Sequence, residues 1–273
     1  MKTLLKATLI FLFLCVLAGS AFADGNELTC ASSTAVLNRY VFRGYEISSN
    51  SIVIQPSLTF SYDGFAATLW ENLDSSEHAT QYFIPDKPGE ARFNETDFIL
   101  AYTRSIGRFS LAGGYAYYAM EYSIPGDTEE LFISATCNVL AKPTLSIYRD
   151  IAEFPGTYLN LSLSHSKPVC KSRGITLDAA ASAGYCAGDG NWCRTYQPST
   201  GSYDGEAYEA WHDGMLKLGL TIPLTAKLSI QPLVQYWFPL SSDAGRIING
   251  VPYNPSGKID ETFVAGVNVN YSF

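Results

Sequence analysis

Three histidines, His78, His165 and His212, are the side chains of this sequence best suited to carry protons near neutral pH. His165 stands between Ser164 and Ser166, a base beside two potential nucleophiles, as a lipid hydrolase would require. On an extended chain, adjacent residues point to opposite faces, so neither serine shares a face with His165 for proton transfer. His78 and His212 are expected in external loops. The hydrolase reading is therefore the weakest of those weighed, and no catalytic residue is assigned. Asp189, Asp204, Glu206, Glu209 and Asp213 make one stretch acidic, but without the regular ligand spacing of a calcium loop. It reads as a solvated loop, and neither a metal nor a cofactor is implied. After Cys15, the cysteines are Cys30, Cys137, Cys170, Cys186 and Cys193, in a spacing that matches no zinc pattern. Cys186 and Cys193 are close enough to close a small disulfide loop in an oxidising compartment, and the odd count leaves at least one thiol free or paired between chains.

The start of the chain supplies that compartment. Lys2 and Lys6 precede an apolar run from Leu9 to Leu17, and Ala21-Phe22-Ala23 is a small-x-small cleavage site. Residues 1–23 read as a secretory signal peptide cleaved after Ala23, leaving 24–273 as one domain. The run is too short for the roughly 20 residues of a spanning helix, and the bulk of Leu12-Phe13-Leu14 before Cys15 is wrong for a lipid anchor. Removing the signal lowers Lys and Arg from 18 to 16 against 26 Asp and Glu, a net charge of −10. That balance argues against nucleic acid as a partner.

Hydrophobic residues make up 47% of the chain, yet no later apolar run approaches spanning length, so they must be dispersed with a period. The period is two. Ile52, Ile54, Leu58, Phe60 and Tyr62 alternate with polar or small neighbours, as do Leu159, Leu161 and Leu163, and Leu216, Leu218, Leu220 and Ile222. Twelve strands are expected, over 34–44, 51–62, 64–74, 94–106, 108–122, 129–140, 143–152, 157–167, 173–186, 214–223, 227–240 and 259–273, with no helix after residue 23. Lengths near ten residues suit tilted strands that cross a bilayer.

Every second connection is tight, as at Asp63-Gly64 and Gly107, and those between run long, up to Ala187–Asp213. Short and long turns sort in this way in a bacterial outer-membrane barrel, where an even strand number puts both termini on the periplasmic side. A soluble sandwich or a lipocalin-like barrel has the same period two with its apolar face turned inward. Loop alternation argues against both, as do aromatics near strand ends (Tyr62, Phe65, Phe109, Tyr115, Tyr117, Trp237, Phe238, Tyr271). The last strand ends on Phe273, the terminal aromatic expected of a signal read by the barrel assembly machinery. The fold class expected is all-β, a transmembrane antiparallel up-and-down β-barrel in outer-membrane lipid and lipopolysaccharide.

In such a barrel the wet face lines the lumen. With Tyr40 and Phe42 facing lipid, parity turns Arg39 and Arg43 inward, and likewise Gln55, Asn72, Asp97, Asp178, Lys217, Gln231, Gln235, Asp260 and Asn268. Cations opposite carboxylates set up a transverse field that filters small polar solutes. The same charges could instead pair and fill a narrow interior. Trp192, Tyr196, Tyr203, Tyr208 and Trp211 are expected in external loops, as anchors for adhesion or as a lid over the mouth.

Asn38-Arg39-Tyr40-Val41-Phe42-Arg43-Gly44, with Ile47-Ser48 and Gln55 through Tyr62, resembles the opening of the TorF-type porins of bacterial outer membranes. Trp70-Glu71-Asn72-Leu73-Asp74, Glu95-Thr96-Asp97, Leu100-Ala101-Tyr102, Gly114-Tyr115 and Leu161 to Ser166 are similar to later strands of that family. The resemblance implies an outer-membrane channel. The function expected is passive diffusion of small hydrophilic solutes, the alternative being a closed barrel that presents its loops for adhesion or envelope integrity.

Overall fold

The computed structural model describes residues 27–273 except 79–80, 82, 125, 189–193, 197–202, 247, 250–256 and 259–260. The expected signal peptide and Asp260 fall outside the described residues. Twelve strands form a closed antiparallel barrel: β1 (Thr29–Leu37), β2 (Val53–Tyr62), β3 (Phe65–Asp74), β4 (Arg92–Ile106), β5 (Phe109–Met120), β6 (Thr128–Cys137), β7 (Thr144–Asp150), β8 (Gly156–Cys170), β9 (Ile175–Gly188), β10 (Glu209–Pro223), β11 (Leu228–Pro239) and β12 (Thr262–Ser272). Each pairs with its neighbours in sequence, and β1 closes on β12 with Ala31 opposite Ser272 and Leu37 opposite Gly266. All backbone ladders are thereby satisfied within the wall, the condition for crossing lipid.

The connections separate by end. At one end are 63–64, 107–108, 138–143, 171–174 and 224–227; at the other are 38–52, 75–91, 121–127, 151–155, 189–208 and 240–261. The first and last wall strands, β1 and β12, begin and end at the short-turn end, where the Phe273 N–H donates to the Cys30 carbonyl at 3.0 Å. Asp63 and Gly64 both have positive φ, 47° and 83°, the two-residue turn whose twist suits a hairpin. A side chain at Gly64 would also put its Cβ 2.6 Å from the Thr103 carbonyl oxygen.

Burial is reversed relative to a soluble barrel. Phe98 and Leu100 of β4, Leu131 and Ile133 of β6, Leu161 and Leu163 of β8, and Leu216 and Leu218 of β10 are exposed on the outer face, Ile133 by 60%. The alternate positions face inward, where hydroxyls pair across strands, Ser33 with Ser57 at 2.9 Å, Thr59 with Thr68 at 2.8 Å and Thr136 with Thr144 at 2.9 Å. An apolar exterior over a hydroxyl-lined interior defines a transmembrane barrel. Tyr62, Phe65 and Phe109 are exposed at the short-turn end and Trp211 and Phe263 toward the other, as girdles at the two interfaces require.

The first expected strand, 34–44, is replaced by two elements. β1 spans Thr29–Leu37, and Tyr40–Phe42 with Tyr45–Ser48 form a separate hairpin. Arg43 and Gly44, at φ 49° and 80°, make its turn. Parity counted through 34–44 is therefore void for Arg39 to Arg43: Tyr40 is buried inside the barrel, not on lipid. The expectation of no helix also fails, since Ser242–Arg246 forms an α-helical turn and Lys171–Arg173 a 3₁₀ turn. Both occupy connections too short to show a helical period.

Candidate functional site

The long-loop end contains the candidate site, and the hairpin at 40–48 occupies it. Tyr40, Phe42, Tyr45 and Ile47 are too apolar for a solvated loop, so the hairpin folds into the mouth. There Tyr40, Tyr45 and Ile47 bury against Leu37, Val53, Leu233 and Val264 of the wall and against Phe83 of the 75–91 connection. The wall contacts run nearly round the barrel. The Tyr40 ring lies 5.5 Å from Trp70 of β3, and its hydroxyl donates to Glu95 of β4 at 3.3 Å. Phe42 meets Tyr118 of β5 edge-on, Tyr45 lies 4.9 Å from the His212 ring of β10, and Arg39 donates to Thr262 of β12 at 3.4 Å. The 75–91 connection joins them through a two-stranded pairing of Ile84–Pro85 with Tyr122–Ile124.

Arg43, at the hairpin tip, reaches the wall opposite β1. Its two terminal nitrogens donate to the two Glu130 carboxylate oxygens of β6 at 2.7 and 2.8 Å. Its guanidinium carbon sits 4.8 Å from the Tyr148 ring of β7, 4.4 Å from Tyr158 of β8 and 4.7 Å from Phe42. The Tyr118 hydroxyl donates to the same Glu130 at 2.9 Å. A planar cation gripped by a bidentate carboxylate and flanked by ring faces is the strongest form of this contact. Burial works against the Arg43 charge, but Glu130 outweighs it and holds the guanidinium above its ordinary range. Between hairpin and wall a cavity of about 40 Å³ remains, room for only one to about three waters.

The mouth is strongly acidic. Glu71, Asp74, Glu77, Glu95, Asp97, Glu130, Asp150 and Asp213 are all buried. Some are well partnered: Asp150 accepts from Thr128 at 2.6 Å, and Asp213 accepts from Tyr158 at 2.9 Å. Glu77, in the 75–91 connection, accepts from Asn94 at 3.2 Å and from the Lys87 N–H at 3.4 Å, with Arg92 4.0 Å away. Burial raises the Glu77 carboxyl above the usual range, and Asp74 adds to the rise while Asn94, Lys87 and Arg92 oppose it. Glu95 Oε2 and Asp97 Oδ1 are buried without a hydrogen-bond partner.

The wall residues expected to line the lumen divide into two groups. Near the mouth, Gln55 donates to Asn72 at 3.0 Å and Asn72 to Asn94 at 2.7 Å, a chain that continues to Glu77, and Asp97 lies on the same inner face. In the short-turn half, Asp178 accepts from Ser166 and Thr221 at 2.6 Å and from Gln231 at 2.9 Å. Lys217 stands near Asp178, and Asn268 donates to Gln231 at 3.4 Å. Gln235 accepts from the Trp237 indole at 2.9 Å. Arg39 and Arg43 are inside the barrel, but on the hairpin instead of the wall, and Arg39 pairs with Glu46 of the same hairpin.

Several expectations are corrected. His212 and Asp213 are not in an external loop: β10 begins at Glu209, and both are buried, with His212 Nδ1 2.9 Å from the Tyr208 hydroxyl. Tyr208 itself is buried, which removes it from the exposed aromatics, whereas Trp211 stays exposed against Tyr185. Cys186 is buried on β9; Cys193 and Trp192 lie outside the described residues, so the expected Cys186–Cys193 bridge does too. Glu130, Tyr118, Tyr148 and Tyr158 were not singled out from the sequence, and Glu95 entered there only within a motif of the resemblance, with no role. The signal that could have found them was the Arg43-Gly44 turn between apolar residues, which demands an interior place and an acidic partner.

No protein-family model and no curated sequence matches the chain. Among solved structures, a NanC porin is similar at a TM-score of 0.51 and 7% identity, over 90% of this chain and 100% of that one. A KdgM porin aligns at 0.48 and 11%, over 90% and 99%. At 7% identity the likeness to the NanC porin is one of fold alone.

Proposed function

We propose that this protein is an outer-membrane channel for passive diffusion of small hydrophilic solutes, gated at its external mouth by the 40–48 hairpin. One observation carries the reading: the exterior is apolar while the interior is lined by hydroxyls, amides and charges, Lys217 and Asp178 among them. A wall built only to stand in lipid has no need of a wet interior along its short-turn half. The short turns mark the periplasmic side and the long connections the cell surface. Export by the segment at 1–23, assembly through Phe273, contact with lipopolysaccharide and kinship with the TorF-type porins belong to the same reading.

The filled mouth favours a second reading, a closed barrel that presents its loops for adhesion or envelope integrity. Single-channel recording from refolded 24–273 in a planar bilayer separates the two. On the channel reading the wild type is mostly closed with brief openings, and the Arg39→Ala, Arg43→Ala double variant conducts steadily with altered ion selectivity. Silence from that variant, once it is verified as folded, would leave the loops as the functional surface.

A further inference from the structure

If the hairpin withdraws, Arg43 and Phe42 leave with it. What stays on the wall is the Glu130 carboxylate with both oxygens open to a bidentate donor, the Tyr148 and Tyr158 rings that now face the guanidinium at 4.8 and 4.4 Å, and the Tyr118 hydroxyl that orients Glu130. A carboxylate fork between aromatic faces selects a planar cation over a neutral or anionic solute. A second observation points to the same ligand chemistry. Glu95 lines the cavity beside this cage, is only 4% exposed, and has its Oε2 without a hydrogen-bond partner. Asp97, on the same face, leaves its Oδ1 unpartnered as well. Buried carboxyl oxygens without a partner leave hydrogen-bonding capacity that an N–H-rich planar cation can fill.

We propose that Glu130, Tyr148 and Tyr158, with Glu95 beside them, form a subsite for solutes bearing a guanidinium or similar organic cation, and that Arg43 is its tethered occupant. An arriving cation competes with Arg43 for Glu130 and so releases the hairpin. For transport this rests on the channel reading; for binding it does not. A tethered ligand acts at a millimolar effective concentration, so wild-type affinity is masked until the tether is removed.

The test uses folded 24–273 in detergent, with folding judged by heat-modifiable mobility, and titrates L-arginine calorimetrically against L-citrulline, which replaces the guanidinium with a neutral urea. Arg43→Ala is expected to bind arginine about tenfold or more tightly than the wild type and than Arg43→Ala, Glu130→Gln, with no measurable citrulline binding. A variant with 40–48 replaced by a Gly-Ser linker should behave like Arg43→Ala, which covers the case in which the alanine variant stays docked. Equal binding of arginine and citrulline, or arginine binding unaffected by Glu130→Gln, overturns the proposal. In bilayers, arginine on the long-loop side should raise the wild-type open fraction while citrulline does not. If Arg43→Ala conducts but the two solutes act alike, the subsite falls and the channel stands. Selective binding by variants that never conduct leaves the subsite and removes the channel.

Discussion

The Arg43–Glu130 pair is buried on both sides, with side-chain exposures of 11% and 5%, and this sets what substitution does. Removing one partner of a buried pair strands the other charge and costs about 3–5 kcal/mol, whereas replacing both with apolar residues of similar volume is often neutral. Arg43→Ala and Glu130→Gln should each undock the hairpin, and Arg43→Met combined with Glu130→Leu should dock it again; protease cleavage within 40–48 reports the difference. Glu77 supplies a pH dependence. Its proton is held more tightly in the folded state than in the unfolded, because burial raises its carboxyl. Glu77's contribution to the stability of the 75–91 connection is therefore full below the ordinary carboxyl range and is lost as pH rises through the raised value. Hydrogen exchange at 75–91 should speed up as pH rises, after correction for intrinsic chemistry, and Glu77→Gln should flatten the trend. At this scale the strand face that a wall residue occupies was legible, because parity within one strand is local. Gln55, Asn72 and Gln231 needed only the count of two. Glu130 was not, because its partner is 87 residues away and no alternation predicts a contact across a lumen.

At the scale of elements, the hairpin is distinguished from a wall strand by one backbone feature. Arg43 and Gly44 take positive φ at successive positions, which turns the chain back within two residues and aims Arg43 across the barrel instead of along it. A β-branched residue at Gly44 would meet strain of about 1–2 kcal/mol there. Gly44→Val should therefore weaken hairpin docking and, on the channel reading, raise the open fraction several-fold in bilayers, while the thermal midpoint of the barrel stays in place because no wall ladder includes residue 44. A barrel that melts early in this variant would mean that the hairpin also supports the wall. Eleven of the twelve wall strands were legible from the sequence, since each repeats the same alternation, and the first was legible only over Thr34 to Leu37. The hairpin was merged into the first of them because Tyr40 and Phe42 continue the parity of Val36 across Asn38. What separates them is the turn chemistry at Arg43-Gly44, and its apolar flanks meant a folded-in loop as readily as a strand facing lipid.

For the whole molecule, the reversed burial means that one substitution should have opposite costs on the two faces of a strand. Ile133 lies mid-way along β6, outward and 60% exposed, and its neighbour Ser134 points inward, opposite Ser146 of β7 and Ala112 of β5. In water the outer position would accept a charge freely. In lipid an arginine near the midplane costs about 2–4 kcal/mol, whereas a lumen charge is solvated by water and changes selectivity instead. Ile133→Arg should thus lower the unfolding free energy of the barrel in vesicles by about that amount in a urea titration, and Ser134→Lys should leave it nearly unchanged. On the channel reading, the same Ser134→Lys in the Arg43→Ala background should shift the reversal potential toward anions, because it adds a cation to an interior whose mouth is acidic. Equal stability losses at the two positions would mean that water reaches both faces. That would contradict the placement in lipid that the loop alternation, the aromatic ends and the apolar exterior all require.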